Sequence, residues 1–118
     1  MANHNINGKN GEALDIAYLT RNRFIILHTN WRHSHYEIDI IAHREDILHF
    51  IEVKTRRSLK FGYPEESVTK KKLENLMNGA EAFLCQNPQW KRIQYDILSV
   101  NLWKNRDPEY FFIEDVYL

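Results

Sequence analysis

Residues 37–58, EIDIIAHREDILHFIEVKTRRS, constrain the fold more than any other stretch of this 118-residue chain. They predict two strands, Tyr36–His43 and Ile47–Thr55, rich in the Ile, Leu, Phe and Val that a domain buries at its centre. Yet Asp39 stands between two isoleucines, and Glu52 and Lys54 flank Val53. Charges buried in such strands are costly unless they are paired. Residues two apart in a strand share a face and lie about 6.6 Å apart. Glu52 and Lys54 therefore project together, with Ile51 and Val53 turned the other way. Asp39 joins them only if the intervening turn has even length. A two-residue turn at Glu45–Asp46, or a four-residue turn over His43–Asp46, puts Asp39 opposite Glu52 or one diagonal away. A three-residue loop reverses the register, and the sequence leaves the choice open.

Two chemistries fit three such charges. A Lys54–Glu52 ion pair satisfies two of them and leaves Asp39 alone. A magnesium site uses all three: hard carboxylate oxygens suit Mg²⁺, which keeps waters and recruits phosphate oxygens. A metal held there can polarise a phosphodiester and supply a hydroxide nucleophile. Lys54 then holds the attacking water or offsets charge developing on phosphorus. Its neighbouring carboxylates favour the ammonium form. An E-x-K triplet is common by itself. The informative pattern is Asp39 on one strand, E-x-K on the next, a basic stretch beyond and Glu12 upstream.

That basic stretch is hidden in a chain whose 16 Lys and Arg balance 16 Asp and Glu. Between positions 54 and 72, Lys54, Arg56, Arg57, Lys60, Lys70, Lys71 and Lys72 face only Glu65 and Glu66. Arg56, Arg57 and Lys60 lead directly out of the charged strand, while Lys70 and Lys71 open a helix whose free N–H groups can also meet phosphate. These five are candidate contacts to a DNA backbone; a solvated surface is the competing explanation. Phe61 and Tyr63 could stack on unpaired bases, or simply pack within their loop. His33 and His35 form an H-x-H that lacks a third metal ligand at useful spacing.

The length suits one domain over residues 1–118, with the polar first ten residues expected to be flexible. Cys85 has no second cysteine to pair with. No signal-peptide pattern or membrane-length apolar run is present, so a cytoplasmic protein without a membrane partner is expected. Leu14, Ala17 and Tyr18, widened by Ile16 and Leu19, predict a helix over 11–22, with Glu12 in its first turn where a carboxylate suits the dipole. A strand follows at Phe24–His28, ahead of the two charged strands. FGYPEES, at 61–67, predicts a loop. Thr69 is placed to cap a second helix that carries Leu73, Leu76, Met77, Ala80, Phe83 and Leu84 on one face. Residues 93–102 and 110–117 predict two closing strands. The order αβββαββ implies an α/β fold with a mixed central sheet flanked by helices.

The pattern GEALDIAYL…NW…EIDIIA…FIEVKTRRS…FGYPEESVTKKKL…AEAFL, from about Gly11 to Val100, resembles the YraN-like proteins of bacteria. These are placed among the restriction-endonuclease-like nucleases and are similar to archaeal Holliday-junction resolvases. The resemblance implies a PD-(D/E)xK core. Asp39 takes its first acidic position, Glu52 and Lys54 the E-x-K, and Glu12 the helix-borne acid. Asp39, Glu52 and the Val53 carbonyl become the metal ligands. Ile38 stands where the motif's name has proline, and Tyr36 stands where the family usually has glycine. The expected function is a Mg²⁺- or Mn²⁺-dependent DNA endonuclease, selective for branched or single-strand-containing DNA and suited to a symmetric homodimer. The alternatives are a nucleic-acid-binding module of the same fold that cuts little or not at all, and a scaffold subunit whose charges are only an ion pair.

Overall fold

The two charged strands form the middle of a five-stranded sheet ordered β1-β2-β3-β4-β5. A computed structural model describes residues 3–57 and 69–116, with side chains from residue 11 onward. The elements are α1 (Asn3–Arg21), β1 (Ile25–His33), β2 (Tyr36–Arg44), β3 (Ile47–Arg56), α2 (Lys70–Gln86), β4 (Ile93–Asn101) and β5 (Glu109–Ile113). This is the α/β order the sequence predicts, in a mixed sheet with two helices. Among the described strands only β3 and β4 pair in parallel, an arrangement that the crossover through α2 makes possible. Lys60 and the 61–67 loop lie outside the described residues.

The turn that decides the register has two residues. Glu45 and Asp46 both take positive φ, 53° and 64°, as a type I′ hairpin turn requires. Pairing then runs from Arg44↔Ile47 back to Ile40↔Ile51, which sets Asp39 opposite Glu52. Neither Glu nor Asp is the residue best suited to that turn, and left-handed backbone costs L-residues roughly 1–2 kcal/mol. Glu45→Asn with Asp46→Gly should therefore stabilise the fold by about 1 kcal/mol. A rise in the thermal midpoint of the double variant checks this.

The two helices cover opposite faces. On one, Leu19 and Tyr18 of α1 pack with Phe24, Ile40, Ala42, Ile51, Leu98 and Val100. On the other, Leu76, Ala80 and Phe83 of α2 pack with Ile38, Ile41, Leu48 and Phe50. Thr69 caps α2, its Oγ1 accepting from the Lys72 N–H at 3.2 Å, a contact that generally adds about 1 kcal/mol. At Gly79 a Cβ would stand 3.3 Å from both Ile38 Cγ1 and Tyr36 Cβ. The missing side chain lets α2 lie close over the start of β2.

Three expectations need correction, one of them the last strand, which spans Glu109–Ile113 rather than 110–117. The helix begins at Asn3, so Glu12 lies well inside α1, where the terminal dipole no longer acts on it. The apolar pattern marked only the part of the helix that packs. The first strand runs to His33, beyond His28, because β1 pairs with β2 as far as His33↔Tyr36. Cross-strand pairing, invisible in one segment's composition, sets that length.

Candidate metal and nucleic-acid site at the strand fork

Strand β2 breaks its own alternation at Asp39. Ile38 and Ile40 are two residues apart, yet Ile38 packs under α2 and Ile40 under α1. Opposite Asp39 on β1 stands Asn30, whose φ of 52° is left-handed. The β2–β3 ladder also stops at Ile40↔Ile51. Beyond it, the Val53 N–H donates to Asp39 Oδ2 at 2.9 Å, so a side chain takes a role that strand backbone would otherwise fill. A strand residue directs its N–H and C=O to the same side. The Val53 carbonyl therefore also faces the gap between β2 and β3. The two strands fork there, with Asp39 in the fork.

The expected register holds, but the acids do not share one face. Asp39 lines a cleft of about 490 Å³ under α1, together with Glu12, Asp15, Asn30, Val53, Thr55 and Arg57. Glu52 lines a smaller depression under α2, with His35, Tyr36, Glu37, Lys72 and Leu76. The fork joins the two electrostatically. Burial pushes the Glu52 carboxyl up to about 7, and the Asp39 charge adds to the rise. Asp39 is likewise raised, first by burial and then by Glu37, against the lowering effects of the Val53 N–H, Lys54 and Lys72.

Lys54 Nζ stands 3.8 Å from Glu52 Oε1, each side chain 18% exposed. The ion pair of the bland explanation is thus present, and Asp39 has a backbone donor of its own. Burial, then the hydrogen bond with Lys72, pull the Lys54 amine below the usual lysine range, while Glu52 and Asp39 pull it upward. The carboxylates do favour the ammonium, as expected, but they are outweighed.

The sequence left three contributors without a role at the fork. Asp15 is only 7% exposed, and burial, then Asp39 and Glu12, push its carboxyl up to about 7. It lies three residues after Glu12 and four before the buried Leu19, a helical spacing that could have placed it on the packed face. Lys72 lies four residues before Leu76 on the stripe that buries Leu76, Gly79, Ala80 and Phe83. All three lysines are exposed, and the phase is what turns Lys72, rather than Lys70 or Lys71, toward the depression that Glu52 lines. Asn30 has no comparable signal; its Nδ2 donates to Glu12 Oε1 at 3.5 Å. Of the remaining basic candidates, Arg57 reaches the α1 cleft and Arg56 ends β3 half-buried.

The carboxylates and the Val53 carbonyl are hard oxygen donors, and the raised carboxyls want positive charge or protons. The donor set fits a divalent cation of the Mg²⁺ type. His33 does not contribute, being stacked against Trp31 at 6.1 Å, while His35 lies against Tyr36 at 4.1 Å. A separate group, His49, Asp96 and Glu114, keeps its ligand atoms within 4.8 Å of one another. All three are already engaged. Asp96 accepts from Gln94 at 2.9 Å, from the Asp115 N–H at 3.0 Å and bonds His49 Nδ1, while Glu114 accepts from Arg44 at 2.8 Å. This network ties the segment after β5 to the sheet.

The arrangement defines a small α/β domain with a five-stranded mixed sheet and an acidic, lysine-flanked fork at its centre. A family model described as "Uncharacterised protein family UPF0102" matches residues 11–100, and the chain belongs to that family, the YraN-like proteins. A UPF0102 protein of Flavobacterium psychrophilum is 41% identical over 100 residues, spanning 85% of this chain and 84% of the relative. One from Dictyoglomus thermophilum is 43% identical over 99 residues, 83% and 84% of the two chains. A third, from Dictyoglomus turgidum, is 45% identical over 97 residues, 80% and 81% of the two. No described helix is long and apolar enough to cross a membrane.

Proposed function

We propose that this protein is a metal-dependent DNA endonuclease of the restriction-endonuclease-like kind, similar to archaeal junction resolvases, cutting phosphodiesters in branched or single-strand-containing DNA. The observation that carries the proposal is the fork. There Asp39 on the α1 side and the Glu52–Lys54 pair on the α2 side stand half-buried about one break in strand pairing, in the middle of a sheet. Asp39, Glu52 and the Val53 carbonyl would hold Mg²⁺ or Mn²⁺. Such an ion supplies a Lewis acid for the phosphoryl oxygen and lowers the pKa of water. Lys54 and Lys72 bring positive charge to the side of the fork where the phosphoryl group gains negative charge. Glu12 reaches the α1 cleft from the helix, held by Asn30.

Arg56, Arg57, Lys70 and Lys71 are the proposed backbone contacts, with Lys60 beside them in sequence. Four such phosphate contacts give a slope of about −4 when log binding constant is plotted against log salt on duplex DNA. Replacing Arg56 and Arg57 with Ala should cut that slope by about 2. A slope near zero in the native protein would remove the DNA reading altogether.

A second reading has a specific observation behind it. Glu52 and Lys54 are paired with each other, and Asp39 with the Val53 N–H, so each has a partner from the protein itself. A binding module that cuts little would keep such a site. Incubation with branched, flapped and linear DNA in Mg²⁺ or Mn²⁺ separates the cases. Nicking supports the endonuclease, binding without nicking supports the module, and neither outcome supports a scaffold.

A further inference from the structure

The depression under α2 holds more than the Glu52 carboxylate. About 200 Å³ in volume, it is also lined by His35, Tyr36, Glu37, Lys72, Asn75 and Leu76. His35 and Tyr36 come from the β1–β2 hairpin, whose pairing closes at His33↔Tyr36 and so leaves a turn of two residues, Ser34 and His35. Their rings stand 4.1 Å apart, tilted by 40°, and Ser34 Oγ lies 3.4 Å from His35 Nδ1. Tyr36 is held from behind, because the bare Gly79 lets α2 close on its Cβ. The two rings form one aromatic wall whose place is set by the hairpin and by α2. Neither is among the residues that pack in the two cores; His35 is exposed and Tyr36 half-buried.

The same depression carries an amide that can both donate and accept, Asn75, and a cation, Lys72. Aromatic surface, a two-way hydrogen-bonding group and a nearby cation suit an unpaired base and its phosphate. A paired base has no open face to offer, since it is stacked within the duplex. Tyr36 lies three residues from Asp39 along β2, about 10 Å at the usual strand rise. A base held there belongs to a nucleotide close to the phosphate at the fork.

We propose that the His35–Tyr36 wall, with Asn75, takes one unpaired nucleobase beside the fork, and that this contact sets a preference for DNA with a single-stranded branch over continuous duplex. The inference rests on the DNA reading of the fork and adds to it the residues that select the substrate.

A duplex with a single-stranded flap, and the same duplex fully paired, each titrated with the full chain, read the contact. The native protein should bind the flapped DNA more tightly. Tyr36→Ala should weaken the flapped complex by about tenfold, the worth of one base–aromatic stack, and leave the paired complex unchanged. Tyr36→Phe should bind as the native protein does, because the stack needs the ring and not the hydroxyl. Ala keeps the Cβ that meets Gly79, so the variant should fold, and His35→Ala on the exposed turn serves as a second variant against the same wall. A 5-iodouracil at the first unpaired position should crosslink, on irradiation, to the peptide that carries His35 and Tyr36. The proposal is overturned if Tyr36→Ala and His35→Ala weaken both complexes equally, if they weaken neither, or if the crosslink falls outside the hairpin. A native protein that binds both DNAs equally removes this inference and leaves the DNA reading; one that binds neither removes both.

Discussion

Glu52→Gln and Lys54→Ala should each slow Mg²⁺-dependent DNA nicking by about 10²–10³-fold or more, the loss expected when one preorganised charge is removed from a reacting centre. That corresponds to about 3–4 kcal/mol of transition-state stabilisation. The variants are informative because neither should harm the fold. Gln keeps the volume of Glu52 and removes a carboxylate that burial and Asp39 already disfavour. Ala at position 54 leaves Glu52 without its 3.8 Å partner, but Lys72 lines the same depression and can compensate. Single-turnover nicking of a labelled branched duplex, with circular dichroism to confirm folding, measures the effect. Residual rates within a few-fold of the native protein in both variants would show that the activity comes from elsewhere, in this chain or in a contaminant.

Stability should fall as pH rises from about 4 to about 7 in metal-free protein, against the more familiar trend. The Asp15 carboxyl moves from 3.8 to about 7 on folding, and Glu52 from 4.5 to about 7. A raised carboxyl holds its proton more tightly in the native state than in the unfolded chain. Between the two values the native state binds more protons, so the stabilisation present below about pH 4 is progressively lost up to about 7, and no more is lost above it. Each pKa unit corresponds to about 1.4 kcal/mol, so two such groups can shift stability by a few kcal/mol. A thermal midpoint lower at pH 8 than at pH 5 by about 10 °C is the expected result. Asp15→Asn should flatten the profile and raise the midpoint at pH 8, and millimolar Mn²⁺ should recover part of the loss in the native protein. An unchanged midpoint across that range would mean that the acids are better solvated, or better paired, than their placement implies.

The elements whose residues announce themselves by periodicity were legible from the sequence. The α2 stripe is one, since Leu76, Ala80 and Phe83 recur at helical spacing and are buried as expected. The charged strands are another, and their register followed once the turn proved to have two residues. What escaped was set by contacts between segments. Asp15 reads as an ordinary polar residue until α1 is seated on the sheet, and only then does its spacing from Leu19 matter. The split between Asp39 and Glu52 was equally hidden. A regular strand would have put Ile38 and Ile40 on one face, and only the three-dimensional pairing around Asn30 and Val53 shows that it does not. His49 and Asp96, 47 residues apart in the chain, left no local trace because their partnership is a product of the parallel β3–β4 pairing.

The meander of β1, β2 and β3 has a consequence for the chain entropy of assembly. Asp39, Glu52 and Lys54 lie on two strands joined by a turn of two residues, so bringing them together closes a very short loop at little cost. The pairing of β3 with β4 closes a much longer loop, through α2, with Leu48 aligned to Ile93. In terms of contact order, the fork is among the most local features of the fold, and the sheet's far half among the least. The residues proposed to act on DNA thus depend on nearby sequence for their alignment, while the distant strands supply the walls that keep them half-buried.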